Sequence, residues 1–159
     1  MRKVQLVDLD GCISDDRWRR SMILPGAVDM PINKGFAVYH SQCWRDEATN
    51  LGELLPDCDH VILTARPVMY MYMTQRWLNQ NKIYPTVILH RNNEDKRPSY
   101  MVKRDQLQWV LNSNNLYNVH LEDIALAIDD RDDILGMYSN YGISTKLVRI
   151  GEEEHNEGR

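Results

Sequence analysis

The sequence has few features of a secreted or membrane-bound protein. Its three cysteines, Cys12, Cys43 and Cys58, show no CxxC spacing, so neither a disulfide framework nor a zinc site is favoured. It has no run of roughly 18 apolar residues, so no transmembrane helix is expected. The apolar stretch after the basic start is too short for a signal peptide. We therefore expect a protein of the reducing cytoplasm with no membrane partner.

Two further absences narrow the function. The motif GxxxxGK[ST] does not occur, so no P-loop kinase domain is expected. The formal net charge is -4, which argues against a general nucleic-acid coat but leaves room for a local basic cluster. A length of 159 residues with 43% hydrophobic and 26% charged content predicts one globular domain over 1–159.

Short apolar runs alternate with helical patterns along the chain. We predict strands at 4–7, 60–64, 86–89, 124–128 and 145–150, and helices at 36–55, 67–80, 100–111 and 132–141. This alternation is typical of an α/β protein with a Rossmann-like, doubly wound parallel sheet. Residues 12–58 are predicted to form a small cap insertion that contains the first helix, and 151–159 a flexible acidic tail.

The stretch KVQLVDLDG at 3–11 organises the rest of the chain. Its strand residues are almost all apolar, which favours burial on both faces. Asp8 and Asp10 are two residues apart, so they project to the same side, and Gly11 permits a sharp turn. An open α/β sheet keeps its ligand site at this carboxyl end of the strands.

Polar residues follow the other predicted strands as well: Thr64, Arg91, and the pair Asp129 and Asp130. Parallel strands bring these ends to one edge of the sheet, where converging carboxylates would repel one another without a cation. Oxygen ligands with no sulfur or imidazole nearby favour Mg²⁺. Such a site suits phosphoryl transfer.

The chemistry can be divided among these residues. One aspartate can attack phosphorus and form an aspartyl-phosphate, and the second can protonate the leaving alkoxide and later deprotonate water. Thr64 Oγ1, Lys103 and the amides of a helix starting after Thr64 would hold the phosphate oxygens.

Each signal alone has a simpler interpretation. A single DxDG is compatible with a turn, although the EF-hand calcium pattern fails at Cys12, Ile13 and Arg19. Thr64 alone would be a satisfied strand-end hydroxyl and Lys103 a solvated charge, and the DDRDD stretch at 129–133 would cap a helix. The ordered set, with each member near a predicted strand end or the following helix, is far more specific.

The segments DLDG at 8–11, ILTAR at 62–66, Lys103 and IDDRDD at 128–133 resemble the four motifs of the haloacid dehalogenase-type phosphatase superfamily. The resemblance is closest to the 3′-phosphatase domains of bacteriophage polynucleotide kinase-phosphatases. MTQRWL at 73–78, HRNNEDKRPSYMVK at 90–103 and LAIDDRDDILGMYSNYGI at 126–143 support it.

The resemblance implies a role for each matching residue. Asp8 would be the nucleophile, Asp10 the general acid–base, and Thr64 with Lys103 the phosphate-binding pair. The implied metal ligands for Mg²⁺ are Asp8, Asp10, Asp129 and Asp130, and the implied substrate-side arginines are Arg19, Arg66 and Arg91. Two residues depart from the pattern: Cys12 replaces the usual threonine, and Ser99 stands where the phage phosphatases have a functional aspartate.

Three hypotheses follow for the function. The first is a Mg²⁺-dependent phosphomonoesterase acting on a nucleic-acid end, and the second is a phosphatase of free nucleoside monophosphates. The third is an inactive phosphate-binding module. Basic residues near Trp18 and in 91–104 favour a polynucleotide, although a solvated face would look similar. A surface rich in tryptophan, tyrosine and methionine leaves a homo-oligomer open.

Overall fold

The computed structural model describes residues 2–23, 32–112, 115 and 117–151. Within these ranges the strands are β1 (Val4–Val7), β2 (Ser14–Asp15), β3 (Glu47–Ala48), β4 (Asp59–Pro67), β5 (Val87–Arg91), β6 (Ile124–Asp129) and β7 (Thr145–Leu147). The α-helices are α1 (Ile32–Ser41), α2 (Met71–Gln80), α3 (Ser99–Leu111) and α4 (Asp132–Asn140).

Strand β1 lies at the centre of the fold, and all four of its residues are buried. Because successive side chains point to opposite faces, Val4 and Leu6 pack into one core cluster and Val7 into the other. The side-chain amide of Gln5 is satisfied, since it donates to the Glu53 carbonyl and accepts from the Leu55 amide. The prediction of a strand buried on both faces is confirmed.

Five strands form the main sheet in the order β5-β4-β1-β6-β7, and every neighbouring pair is parallel. The chain leaves β1 toward one edge through β4 and β5, then crosses back to build β6 and β7 on the other side. This confirms the predicted doubly wound sheet. The strand order reverses beside β1, so the crevice between the carboxyl ends of β1 and β6 is the expected ligand position.

Helices cover both faces of the sheet. Trp77 and Leu78 of α2 belong to the core cluster on one face. Leu107 of α3 and Ile134 of α4 belong to the cluster on the other. Each of these three helices therefore buries an apolar face against the sheet. This packing holds the helices in place relative to the strands that precede them.

The prediction of a helix over 36–55 is wrong. Helix α1 ends at Ser41, and the chain continues through a 3₁₀ turn at Cys43–Arg45 into β3, which pairs with β2. The reason is tertiary, because the buried Asp46 carboxylate accepts hydrogen bonds from Ser14 and Arg19. Those partners hold Asp46 in an extended conformation, with φ -62° and ψ 142°, that a helix cannot accommodate.

Other predicted boundaries shift by a few residues. Strand β4 continues to Pro67, and a 3₁₀ turn at Val68–Tyr70 separates it from α2, so the predicted helix start at 67 is wrong. Strand β5 is displaced to Val87–Arg91, and β7 ends at Leu147. Gly142 follows α4 with φ +81°, as expected of a helix stop. The predicted tail lies outside the described residues from 152 onward.

Within the predicted insertion 12–58, α1 packs against the 3₁₀ segment Arg17–Ile23. This pair of segments lies beside the carboxyl edge of the sheet, since both contribute to the cavity described below. None of the helices in the described part of the chain has the length and apolar character needed to cross a membrane.

Neighbouring positions on α3 allow a test of the core. Leu107 has no exposed surface, whereas Gln108 is exposed. Leu107→Ala removes buried apolar atoms and leaves a cavity, so we expect a loss of about 2–5 kcal/mol in the free energy of unfolding in urea. Gln108→Ala on the same helix should change it by only about 0.5 kcal/mol. Equal effects from both variants would contradict the packing described here.

Candidate active site

Three acidic side chains meet at the crevice between β1 and β6. Asp8 follows β1, Asp129 ends β6, and Asp130 comes next. Each offers a carboxylate oxygen within 4.8 Å of the other two. Asp8 and Asp129 are buried and Asp130 is partly buried. The predicted convergence of these strand ends is therefore present in the fold.

Lys103 reaches this acidic group from α3. Its Nζ donates to Asp8 Oδ1 and to Asp129 Oδ2, each at 2.6 Å. Burial alone would lower the pKa of Lys103, but the Asp129 and Asp8 carboxylates raise it well above its ordinary value. The ammonium therefore stays charged and links the ends of two strands to a helix on one face of the sheet.

One ammonium does not compensate three carboxylates. Burial raises the pKa of Asp8 well above its ordinary value, and Asp129 raises it further, against the lowering effect of Lys103. Burial and the Asp129 carboxylate raise the pKa of Asp130 to about 7. A hard divalent cation would relieve this repulsion, and an all-oxygen donor set is what Mg²⁺ prefers. Asp8, Asp129 and Asp130 fit such an ion.

Asp10, which was also predicted to bind the metal, has its carboxylate in a different environment. Its Oδ1 accepts from Arg19 Nη2 and from Arg66 Nη2, both at 2.6 Å. Burial alone would raise the pKa of Asp10, but the Arg66 and Arg19 guanidiniums hold it well below its usual range. Asp10 is thus an anion in this arrangement, and a metal role for it stays a prediction.

Arg19 and Arg66 have no exposed surface, and neither lines the cavity. The resemblance implied that both lie on the substrate side, but their guanidiniums are used by protein partners. Arg66 also donates to Thr74 Oγ1 and Ser14 Oγ. In the geometry described here both arginines position Asp10.

Asp46 is a site-associated residue that the sequence analysis did not identify. It is buried, and its carboxylate accepts from Ser14 Oγ at 2.6 Å, Trp18 Nε1 at 2.9 Å and Arg19 Nε at 2.8 Å. No motif surrounds it. Two buried arginines beside a single Asp10 require a second carboxylate, but the burial of these arginines is visible only in the structure, so the sequence offered no signal for Asp46.

Thr64 lies buried near the carboxyl end of β4 and contributes to the cavity. Its Oγ1 accepts from the Arg66 amide at 3.1 Å. The sequence analysis expected a helix to begin directly after Thr64 and to present free amides to a phosphate. This expectation is wrong, because β4 continues to Pro67 and the Arg66 amide already has a partner.

Arg91, at the end of β5, lines the cavity but also organises the loop that follows it. Its Nε donates to the Ala65 carbonyl at 2.9 Å, and its Nη1 donates to the carbonyls of Asp95 and Arg97. Ser99, the departure from the family pattern, accepts from Arg91 Nη2 at 3.3 Å. Arg91 therefore connects β4 to the start of α3.

The second departure, Cys12, is fully buried in the core cluster that contains Val7. Burial raises the pKa of its thiol well above the ordinary value. Cys12 therefore packs as a small apolar residue and does not replace the hydroxyl of a threonine.

The acids open into a cavity of about 1100 Å³. Its polar lining includes Asp8, Lys103, Asp129 and Asp130. The ends of β4 and β5 contribute Thr64 and Arg91. Further lining comes from the 3₁₀ segment before residue 24, α1, the turn after β4, the loop after β5 and α4. The apolar and aromatic members are Ile23, Phe36, Ala37, Tyr39, His40, Ala65, Pro67, Met69, Tyr70, Pro98 and Ile134.

This fold, with its ligand crevice at the switch point of a five-stranded parallel sheet, is that of the haloacid dehalogenase-like hydrolases. A chain of the Pnkp1/Rnl/Hen1 RNA repair complex is similar with a TM-score of 0.64 and 19% identity, over 96% of this chain and 44% of that chain. This chain therefore spans less than half the length of that one.

Two smaller proteins are matched over most of their lengths. A haloacid dehalogenase-like hydrolase from Streptococcus pneumoniae has a TM-score of 0.59 and 14% identity, over 98% of this chain and 90% of its own. L-2-haloacid dehalogenase from Xanthobacter autotrophicus has a TM-score of 0.56 and 15% identity, over 100% and 84%. Comparison of the sequence with protein-family models and with curated proteins finds no match.

Gly11 allows the chain to turn tightly beside the acids. It has φ +79°, and a Cβ added there would overlap Asp130 Oδ2 and lie 3.1 Å from Arg20 Nη2. Gly11→Ala should therefore destabilise the protein by about 1–3 kcal/mol. It should also weaken Mg²⁺ binding, measured by isothermal titration calorimetry, by about tenfold, because Asp130 must move.

Gly136→Ala is the matched control for this substitution. Gly136 lies within α4, and an added Cβ meets nothing within 4 Å. The same chemical change should stabilise the protein by about 0.5–1 kcal/mol and leave cation binding unaltered. Unchanged Mg²⁺ binding in Gly11→Ala would show that Asp130 does not hold the ion.

Proposed function

We propose that the protein is a Mg²⁺-dependent phosphomonoesterase that removes a phosphate, by preference a 3′-phosphate, from a nucleic-acid end. The observation that carries this proposal is the buried Asp8, held by Lys103 beside Asp129 and Asp130 at the switch point of the sheet. The similarity in fold to a chain of an RNA repair complex supports a substrate of this kind.

Asp8 is the candidate nucleophile. Lys103 holds its Oδ1, so the other carboxylate oxygen attacks phosphorus, and an Asp8 O–P bond forms as the ester P–O bond breaks. Water then attacks the aspartyl-phosphate, which releases inorganic phosphate and restores the Asp8 carboxylate. Lys103 contacts Asp8, and Thr64 lines the same cavity as the acids, so both are candidates to position phosphate oxygens.

Two proton transfers accompany these steps. The leaving alkoxide takes up a proton in the first, and the attacking water loses one in the second. Asp10, held as an anion by Arg19 and Arg66, is suited to receive the proton of water. This proton then passes to solvent, because the two arginines favour the Asp10 anion. A negatively charged phosphate bound nearby favours proton uptake by Asp10 from solvent, and Asp10 gives that proton to the leaving alkoxide.

The metal role belongs to the acids that converge. Mg²⁺ bound by Asp8, Asp129 and Asp130 would supply positive charge that offsets the repulsion between these carboxylates and an incoming phosphate.

Three free thiols, Cys12, Cys43 and Cys58, are compatible with the reducing cytoplasm as the place of action.

In the structure, the basic residues support a polynucleotide substrate less strongly than they did in the sequence analysis. Arg17 pairs with Asp15 outside the cavity. Three of the four arginines that line the cavity form ion pairs, Arg20 with Asp16, Arg97 with Asp95 and Asp105, and Arg131 with Asp133. The fourth, Arg91, donates hydrogen bonds to backbone carbonyls and to Ser99. Among the described residues that line the cavity, Lys96 is a basic residue with neither an ion pair nor a side-chain hydrogen bond, which makes it the best candidate for a second phosphate. This pairing keeps free nucleoside monophosphates as the alternative substrate.

The nucleophile assignment is tested by Asp8→Asn, which keeps the shape of the side chain but removes its charge. Turnover of a 3′-phosphorylated oligonucleotide, followed by phosphate release, should fall at least about a thousandfold. Wild-type activity should also disappear in chelator and return with Mg²⁺. The matched control is Asp132→Asn, whose carboxylate is 78% exposed and should leave turnover unchanged. Substantial activity in Asp8→Asn would exclude the aspartyl-phosphate route.

The substrate assignment is tested by salt dependence. Binding of a single-stranded oligonucleotide should weaken with a slope of about -0.7 in log–log form for each phosphate contact. Lys96→Ala should reduce that slope by about one contact and leave the KM of a nucleoside 3′-monophosphate nearly unchanged. Lys3→Ala, which precedes β1 at the opposite edge of the sheet, is the control. Equal slopes for the oligonucleotide and the mononucleotide would favour the free-nucleotide phosphatase.

A further inference from the structure

Three aromatic rings form a continuous stack in the lining of the cavity. The rings of Phe36 and His40, one turn apart on α1, have centroids 6.2 Å apart and an interplanar angle of 22°. His40 stacks in turn on Tyr70, with centroids 5.3 Å apart and an angle of 29°. Tyr39 meets the His40 ring edge-on at 4.9 Å. These contacts fix the orientation of the rings before any ligand arrives.

The stack has one end available to a ligand. Tyr70 is only 9% exposed, whereas Phe36 is 44% exposed, and the neighbouring Met69 is 60% exposed. Burial lowers the pKa of His40 to about 4, so the His40 ring, which lies between Phe36 and Tyr70, is neutral at pH 7. This part of the cavity therefore presents apolar, uncharged surface that has no attraction for a phosphate.

The cavity is also larger than a phosphate requires. Its volume of about 1100 Å³ is slightly above the range of about 300–1,000 Å³ found for pockets that enclose drug-sized ligands. The acids and Lys103 account for the charged end of a ligand. A ligand that filled the rest would need a planar apolar part to cover Phe36 and Met69.

We propose that the nucleobase next to the reacting phosphate stacks on the exposed ring of Phe36, with His40 and Tyr70 supporting that ring from behind. This inference rests on the proposed function. It identifies the nucleobase as the part of the substrate that the α1 side of the cavity recognises. Base–aromatic stacking accepts any base, because every base presents a π-face. The subsite therefore distinguishes nucleotides from other phosphomonoesters without reading sequence.

The test measures binding in the Asp8→Asn protein, which cannot turn the substrate over. Two 3′-phosphorylated oligonucleotides with a 5′ fluorophore are compared in Mg²⁺ by fluorescence anisotropy, one ending in a normal nucleotide and the other in an abasic residue. Phe36→Ala should weaken binding of the first by about 5- to 150-fold and of the second by less than about twofold. Phe36→Trp should retain the preference for the base.

Tyr72→Ala is the matched control, since Tyr72 is 78% exposed and does not line the cavity. It should alter neither Kd. Unfolding in urea checks that Phe36→Ala is folded, and Phe36→Leu, which keeps apolar bulk without a ring, replaces it otherwise. Equal weakening of both oligonucleotides by the substitution, or equal binding of both when Phe36 is intact, overturns the proposal.

Phosphate release by the wild-type protein separates this inference from the proposed function. If the base-dependent binding is found but no phosphate is released, the stacking subsite stands and the phosphatase activity is wrong. If both oligonucleotides are bound alike and dephosphorylated alike, the activity stands and the stacking subsite is wrong.

Discussion

Burying several carboxylates at one edge of a sheet requires cations buried with them, because an unpaired charge in the interior costs several kcal/mol. The protein meets this requirement in two separate groups. Asp8 and Asp129 share the ammonium of Lys103, and Asp10 and Asp46 share the guanidinium of a buried arginine. The groups draw on different elements, the first on β1, β6 and α3 and the second largely on the segments between β1 and β4. The edge of the sheet and the insertion are thereby tied together by charge as well as by packing.

This division explains how two aspartates only two residues apart acquire different properties. Burial and a neighbouring carboxylate raise the pKa of Asp8, whereas two arginines lower the pKa of Asp10. Groups whose environments shift their pKa values in opposite directions are suited to different chemical tasks. Asp8 thus faces an acidic cluster that a cation can complete, and Asp10 faces permanent positive charge. The DxDG spacing places both side chains at the sheet edge, and the surroundings decide what each one does.

The parts of the structure that could be predicted from sequence are those set by local pattern. The pattern of apolar runs predicted the sheet. It also predicted that Asp8 and Asp129 lie close together, since strand ends in a parallel sheet share an edge. The contacts of Asp46 could not be predicted in this way. Its partners lie 27 to 32 residues away in the chain, and no periodicity records such pairing. The same contacts hold Asp46 in an extended conformation and so prevent the helix that sequence propensity alone favoured from continuing through it.

The aromatic stack and Asp10, the proposed proton-transfer group, are connected through α1. Arg19, which holds Asp10, also donates to the Tyr39 carbonyl at 3.1 Å, and its guanidinium lies 4.1 Å from the centre of the Tyr39 ring. The Tyr39 hydroxyl donates to Asp16 at 2.5 Å. These contacts fix α1 on the side that carries Tyr39, and Phe36 follows because it is on the same short helix. A substitution that moved Tyr39 would therefore disturb the stack and the partners of Asp10 together. Phe36 itself is half-exposed and contacts neither arginine in the described ring and hydrogen-bond contacts. If the proposed base subsite holds, Phe36 is therefore the position where substrate preference can change without altering the proposed chemistry at Asp8 and Asp10.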